Sequence, residues 1–335
     1  MVNRESKETE AATETPRRTL VIALVFSAAF ACAWVAAIGS RARPAERTLS
    51  RVALSGSGRW LAAGTPEGRI TVWDQAGGAA PHHFRFAHGT LNDLRFSPDG
   101  RVLAIACGDL ALYVPVEPAA APRLLRSDQK NYGTVRFSGD GETLLAIDGS
   151  GAIETIEVRS GAARLRVCCS SVYGEVAFLP DEHSIVNAGH WPRIWDARTG
   201  ALLGQFTAGR QVETLGPIGV ERQAGVVLMG SQDGRVYAWD FKTRGLVARS
   251  AAQPGYVDAL AVSPNGWIAY GSFGKTLRLW NPGTGEQRSL AGARPASNLV
   301  FGADGTSVIF GTTGGQIEVW DTGSGQRLRA FPAAR

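Results

Sequence analysis

Three observations predict an all-β fold with one helix before it. A strand–turn–strand pattern recurs seven times at a mean spacing near 41 residues. A second turn signature lies upstream of most copies at a constant offset. A single charge-free stretch precedes the first copy. The expected architecture is a seven-bladed β-propeller with four-stranded antiparallel blades, preceded by one N-terminal transmembrane helix.

The clearest copy is Val226–Asp240, reading VVLMGSQDGRVYAWD. Val226–Met229 is a short apolar run, Gln232-Asp233-Gly234 is a turn signal, and Val236–Trp239 is a second β-rich run. Together they form a tight hairpin. Aligned on Trp239, the seven copies carry Trp73, Tyr113, Ile156, Trp195, Trp239, Trp280 and Trp320. The steps are 40, 43, 39, 44, 41 and 40 residues, the length of one four-stranded blade. Trp73, Trp195, Trp239 and Trp320 are followed by Asp, and Trp280 by Asn281.

Upstream, Leu94–Gly100 is a strand running into a Ser-Pro-Asp-Gly turn. Val135–Gly141, Val176–Glu182, Leu260–Gly266 and Leu299–Gly305 match it, and Val52–Gly58 is a looser copy. Leu215–Arg222 is the poorest, because Pro217 cannot donate to a strand ladder. Downstream, Asp196–Gly200, Asn281–Gly285 and Asp321–Gly325 mark a third turn.

These motifs resemble the WD-repeat β-propeller family over about residues 46–335. The family's Gly-His dipeptide survives only as Ala87-His88-Gly89, and its turn Asp is clear at Asp233, with Asp109 a second candidate. The resemblance implies a scaffold or sensor, and a hydrogen bond from His88 to a turn Asp such as Asp109.

A four-stranded sheet with two apolar faces is not stable alone, whereas seven arranged radially bury each face against a neighbour. The five Trp residues are expected to fill the wedges between blades. Tyr113 and Ile156 are smaller, so the second and third blades are expected to pack less tightly. Seven inner and seven outer strands can be counted, so the C-terminal strand completes its own blade. Closure is expected by packing, without strand exchange or with only a short pairing by Arg47–Leu49.

Residues 1–18 are polar and carry four basic and four acidic side chains, a composition of disordered tails. Leu20–Gly39 is twenty residues without a charge, long enough as a helix to span about 30 Å. Residues 19–39 therefore read as a signal anchor, 40–50 as a linker and 51–335 as the propeller. A cleaved export signal and a buried helix are the alternatives. Basic residues are balanced across the segment. The Arg17-Arg18 pair favours a cytoplasmic N-terminus and a propeller on the extracytoplasmic, periplasmic side.

The chain of 335 residues has a net charge of +5, spread over many blades. Without a clustered basic stripe, nucleic acid is not expected as a partner. The four Cys lack metal-ligand or disulfide-framework spacing, although adjacent Cys168 and Cys169 leave a vicinal disulfide open. No Gly-x-Ser-x-Gly elbow, His-Glu-x-x-His pair or phosphate loop is present. Neither catalysis, nor a metal, nor a cofactor is expected.

Two places could bind something. Asp93, Glu175, Glu213 and Asp258 occupy similar offsets near inner-strand starts and could ring the channel mouth for a cation or basic peptide. The favoured site is the face made by loops joining each outer strand to the next blade and each second strand to the third. Tyr132, Tyr173, His190, Trp191, Tyr256, Phe273 and Lys275 fall there, and exposed aromatics anchor protein interfaces. The two Tyr residues Tyr132 and Tyr173 occupy equivalent repeat positions, so blade packing is the competing role.

The expectation is a membrane-tethered, non-catalytic propeller that binds a protein or peptide partner. A ligand-sensing exported propeller is the alternative. An enzyme is the third reading: Asp196-x-x-Thr199-Gly200 resembles a quinoprotein repeat, but Gly204 stands where that repeat has Trp.

Overall fold

The computed structural model describes residues 49–332, apart from 78–79, 168–174, 190–191 and 207–215. The chain divides into Met1–Ala45 and Glu46–Arg335, and the described residues belong to the second unit. The tail, the charge-free segment Leu20–Gly39 and most of the linker lie outside them, as do Cys168 and Cys169. Among the described residues no helix is long and apolar enough to cross a membrane.

Twenty-eight strands form seven sheets, each of four consecutive antiparallel strands. The first blade consists of Arg51–Leu54, Trp60–Gly64, Arg69–Asp74 and His82–Arg85, in that order from the centre outwards. The first strands of the other six blades are Leu91–Phe96, Thr134–Phe137, Val176–Phe178, Ile218–Glu221, Ala259–Val262 and Leu299–Phe301. Each of these inner strands touches the inner strands of both neighbouring blades, and the last touches the first. The ring is therefore closed around a central channel.

The turn chemistry explains the repeat. In the first turn of a blade, Ser97 Oγ donates to Asp99 Oδ1 at 2.6 Å and accepts from Val102 N at 3.0 Å. Ser138 with Asp140 and Ser263 with Asn265 repeat this geometry. In the third turn, Asp196 Oδ1 accepts from the N–H and hydroxyl of Thr199 at 2.6 and 2.8 Å. Asp240 with Thr243 and Asp321 with Ser324 do the same. The Asp after Trp195, Trp239 and Trp320 thus closes the turn to the outer strand. Glu182 takes φ +57° where Gly100, Gly141 and Gly266 stand in other blades, so the fourth blade makes the same turn at the strain cost of a side chain.

The fifth blade differs from the sequence reading. Its inner strand begins after Pro217, and its first turn is shorter, only residues 222–225, ending in a left-handed Gly225 at φ +67°. The proline stands just before the strand rather than inside it.

Every residue aligned with Trp239 packs against the preceding blade. Trp239 joins Val186, Ile194 and Phe206 of the fourth blade, and Trp280 joins Leu228, Val236 and Ala238 of the fifth. Trp320 lies against Leu277, Leu279 and Leu290 of the sixth. Trp73 meets Phe331 edge-on at 5.9 Å, and Trp195 packs on Leu145 and Ile153. Burial does not follow ring size as expected. Tyr113 and Ile156 are fully buried, whereas Trp73 and Trp195 are only partly covered. The neighbours compensate: Phe84 lies 4.6 Å from Tyr113, ring to ring, and Trp60 joins the same cluster.

Closure is by packing, as the strand count implied. Leu49, Val52, Leu61 and Ala63 of the first blade bury against Ile309, Ile317 and Val319 of the seventh. The C-terminal strand Arg327–Pro332 belongs to its own blade. Asn298 adds a polar clasp. Its Oδ1 accepts from Val52 N and its Nδ2 donates to Val52 O, both at 2.8 Å.

Candidate protein-docking face

An inner strand is an edge strand, and its channel-side N–H groups lack a ladder partner. The preceding blade supplies one at three described seams. Asp93 Oδ2 accepts from Val135 N at 3.2 Å, Glu175 Oε2 from Ile218 N at 3.1 Å, and Asn298 from Val52. Two of the four carboxylates proposed for the channel mouth, Asp93 and Glu175, thus serve a structural role.

Those carboxylates are also neutralised internally. Arg136 donates to Asp93 Oδ2 at 2.5 Å and to Glu175 Oε2 at 2.9 Å, bridging the second and fourth blades. Arg95 Nε lies 3.3 Å from Asp93 Oδ1. Burial by itself would raise the Asp93 carboxyl, but the charges of Arg95, Arg136 and Arg51 outweigh it and hold it below the usual range. Burial and the like charge of Arg136 lower the Arg95 guanidinium. A free cation site built from these acids is therefore corrected to an arginine–carboxylate network. Glu213 lies outside the described residues, and Asp258 is exposed and accepts from Phe273 N at 3.3 Å. Arg51, Arg95 and Arg136 had not been singled out. The signal was their alternation with core residues, as in Arg95-Phe96-Ser97 and Arg136-Phe137-Ser138.

On the loop face, the proposed residues separate into three groups. Tyr132 is fully buried among Ala104, Leu110 and Val135. Its hydroxyl lies 3.1 Å from both Asp128 Oδ2 and Glu154 Oε2, and burial together with the Glu154 charge pushes its pKa well up. It is a seam residue and offers no ring to a partner, which corrects its place in the candidate set. Tyr173, His190 and Trp191 lie outside the described residues. Tyr256, Phe273 and Lys275 remain: Tyr256 is 59% exposed, Phe273 45%, and Lys275 is also exposed.

The exposed rings sit on fastened loops. Tyr256 lies between the fifth and sixth blades, where Gln253 Nε2 donates to its carbonyl at 3.2 Å and Ser272 Oγ also contacts it. Gly234, at φ +77°, accepts from Gln253 N at 2.9 Å. A Cβ at position 234 would come within 2.2 Å of Gln253 O, so only glycine allows this approach. Phe273 and Lys275 belong to the second turn of the sixth blade, and Phe273 N is held by Asp258. Two large side chains are thus presented to solvent from anchored backbone.

The His88–Asp109 hydrogen bond is present at 3.1 Å, and Asp109 also accepts from Gln129 N at 3.0 Å. Other blades use different partners. Tyr237 donates to Asp233 Oδ2 at 2.7 Å, while the indoles of Trp195 and Trp320 donate to Asn187 and Glu318, each at 2.8 Å. Among the described residues no cluster of His, Cys, Asp and Glu could hold a metal ion.

Seven four-stranded blades in a closed ring, with Trp or its substitute at each seam, define a seven-bladed β-propeller of the Trp-Asp type. Its architecture is that of the WD-repeat β-propellers, and the chain is similar to proteins of that family. The family model described as "WD domain, G-beta repeat" matches residues 81–114, the stretch that holds both His88 and Asp109. The chain is similar to Periodic tryptophan protein 2 homolog of Schizosaccharomyces pombe, 29% identical over 126 residues, covering 36% of this chain and 15% of that protein. WD repeat-containing protein 18 of Homo sapiens is 27% identical over 131 residues, covering 38% of this chain and 29% of its own length. Pre-rRNA-processing protein crb3/ipi3 of S. pombe is 44% identical over 52 residues, covering 16% and 12% respectively. The matches thus span less than a third of each relative.

Proposed function

We propose that this propeller is a non-catalytic scaffold or sensor that docks a protein partner on the loop face carrying Tyr256, Phe273 and Lys275. The observation that carries the reading is the pair of solvent-facing rings on hydrogen-bonded loops, beside a channel where Asp93 and Glu175 are already paired with arginine. Rigid aromatic anchors gain contact area at low ordering cost, and a few such residues dominate an interface. The WD-repeat fold favours the same reading, because such propellers commonly serve as protein-interaction platforms. Pre-rRNA processing stands in one relative's name. That match is a short stretch of repeat, and the reading here does not depend on it.

We further propose that Leu20–Gly39 tethers the propeller to a membrane, on the strength of its length and lack of charge. Labelling of single introduced cysteines in intact cells tests the side on which the propeller lies. The docking reading is tested by co-precipitation with Tyr256→Ser and Phe273→Ser. Each is expected to weaken partner recovery about tenfold or more, the scale of a hot-spot residue. Unchanged recovery by the double variant would remove this face from the reading.

A further inference from the structure

One part of the docking face carries charge that the protein leaves uncompensated. Gln253, Pro254, Lys275, Thr276, Arg278 and Arg294 line a cleft of about 210 Å³. Three of the six are cations and none is an acid. Lys275 comes from the second turn of the sixth blade, Arg278 from its third strand, and Arg294 from the loop to the seventh blade. The sequence brings them together only because that turn and that loop meet: Gly274 N donates to Pro295 O at 2.8 Å.

The two arginines are held by neutral groups. Arg278 donates to Ala252 O and Arg294 to Gly274 O, each at 3.2 Å. Backbone carbonyls fix the guanidinium groups without cancelling their charge. Among the described residues no carboxylate pairs with any of the three cations. Several other cations are paired with acids: Arg59 with Asp74, Arg136 with Asp93 and Glu175, Arg327 with Glu318. Three like charges around one recess repel each other, and an anion entering it relieves that repulsion.

The exposed rings adjoin this recess. Gln253 lines it and also holds the Tyr256 carbonyl, and Phe273 is two residues from Lys275. We propose that the docking segment is an acidic peptide. One or two of its carboxylates enter the cleft of Lys275, Arg278 and Arg294, and a neighbouring apolar side chain packs on Tyr256 and Phe273. This rests on the docking-face reading and names the partner's chemistry at that site. A single-stranded nucleic acid needs a basic groove that follows its backbone. Here Asp233 and Asp258, at the adjoining turns, interrupt any longer basic track.

The test uses the full-length chain in non-ionic detergent and a displayed library of random 12-residue peptides. Peptides recovered on the wild type are expected to be enriched in Asp and Glu next to an apolar residue. The tightest, labelled and measured by fluorescence anisotropy, is expected to lose at least tenfold in affinity to Lys275→Glu/Arg294→Glu. Both side chains are exposed, and circular dichroism checks that the variant folds. A variant with Asn and Gln in the peptide's acidic positions is expected to lose a similar factor, and added salt to weaken binding further. Recovered peptides without acidic enrichment, or binding that survives the charge reversal, would overturn the proposal. If those peptides were still lost on Phe273→Ser, the docking face would stand and only the acidic chemistry would fall. A library that yields no binders overturns it too. So does tighter binding of a 12-nucleotide oligouridylate that the same double substitution abolishes.

Discussion

Arg136 bridges carboxylates from two other blades, and Asp93 shows what that does to an acid. Its side chain is 5% exposed and stays ionised because three guanidinium groups outweigh the cost of burial. Its folded pKa is below the unfolded value of about 3.9. The stability it contributes is therefore present above about pH 4 and lost as the pH falls through the lower folded value. In urea unfolding from pH 7 to pH 2.5, Asp93→Asn is expected to cost about 3–5 kcal/mol at neutral pH, the scale of a broken buried pair. Its stability is also expected to fall less steeply in acid than that of the wild type. An unchanged acid slope would contradict the assignment. Tyr113 makes the opposite point. It is 1% exposed, its hydroxyl has no hydrogen-bond partner among the described residues, and burial pushes its pKa up. Removing a buried, unpaired hydroxyl relieves a desolvation cost of about 1–3 kcal/mol. Tyr113→Phe is therefore expected to leave stability unchanged or raise it by about 1 kcal/mol, and a clear loss in the same urea assay would count against this packing.

Among the elements, the seam between the seventh and first blades is where the ring closes. Residues 246 positions apart meet there through the Asn298 amide, which imitates one rung of a β-ladder to Val52. Asn298→Leu leaves the Val52 N–H and C=O without that partner, at about 1–3 kcal/mol for each buried group. Native-state hydrogen exchange is expected to quicken at Val52 and Leu49 before it quickens at other seams. Uniform quickening around the ring would deny the clasp its local role. The sequence showed the blades clearly, because Trp-Asp and Ser-x-Asp turns are local devices whose donors and acceptors lie within five residues. It did not show the clasp, because nothing near Asn298 distinguishes it from a surface amide. The same limit applies to the channel. Asp93 and Glu175 were visible as acids at matching offsets, but Arg136, their shared partner, becomes meaningful only once three blades converge. Tyr132 and Tyr256 both looked like loop aromatics. Only the pairing of Gly108 with Tyr132 draws the first into a seam, while Tyr256 remains in solvent.

At the scale of the whole molecule, the ring has two faces, and among the described residues one of them carries anchored, exposed rings beside a basic cleft. Its apolar side chains are buried at the seams between blades. Site-specific photocrosslinking in cells tests the central claim most directly. A photoreactive residue at Phe273 is compared with one at Gly283, on the turn between third and outer strands of the same blade and therefore on the opposite face. A discrete protein adduct from position 273 and none from 283 is the expected result. An adduct from 283 alone, or equal adducts from both, would contradict it.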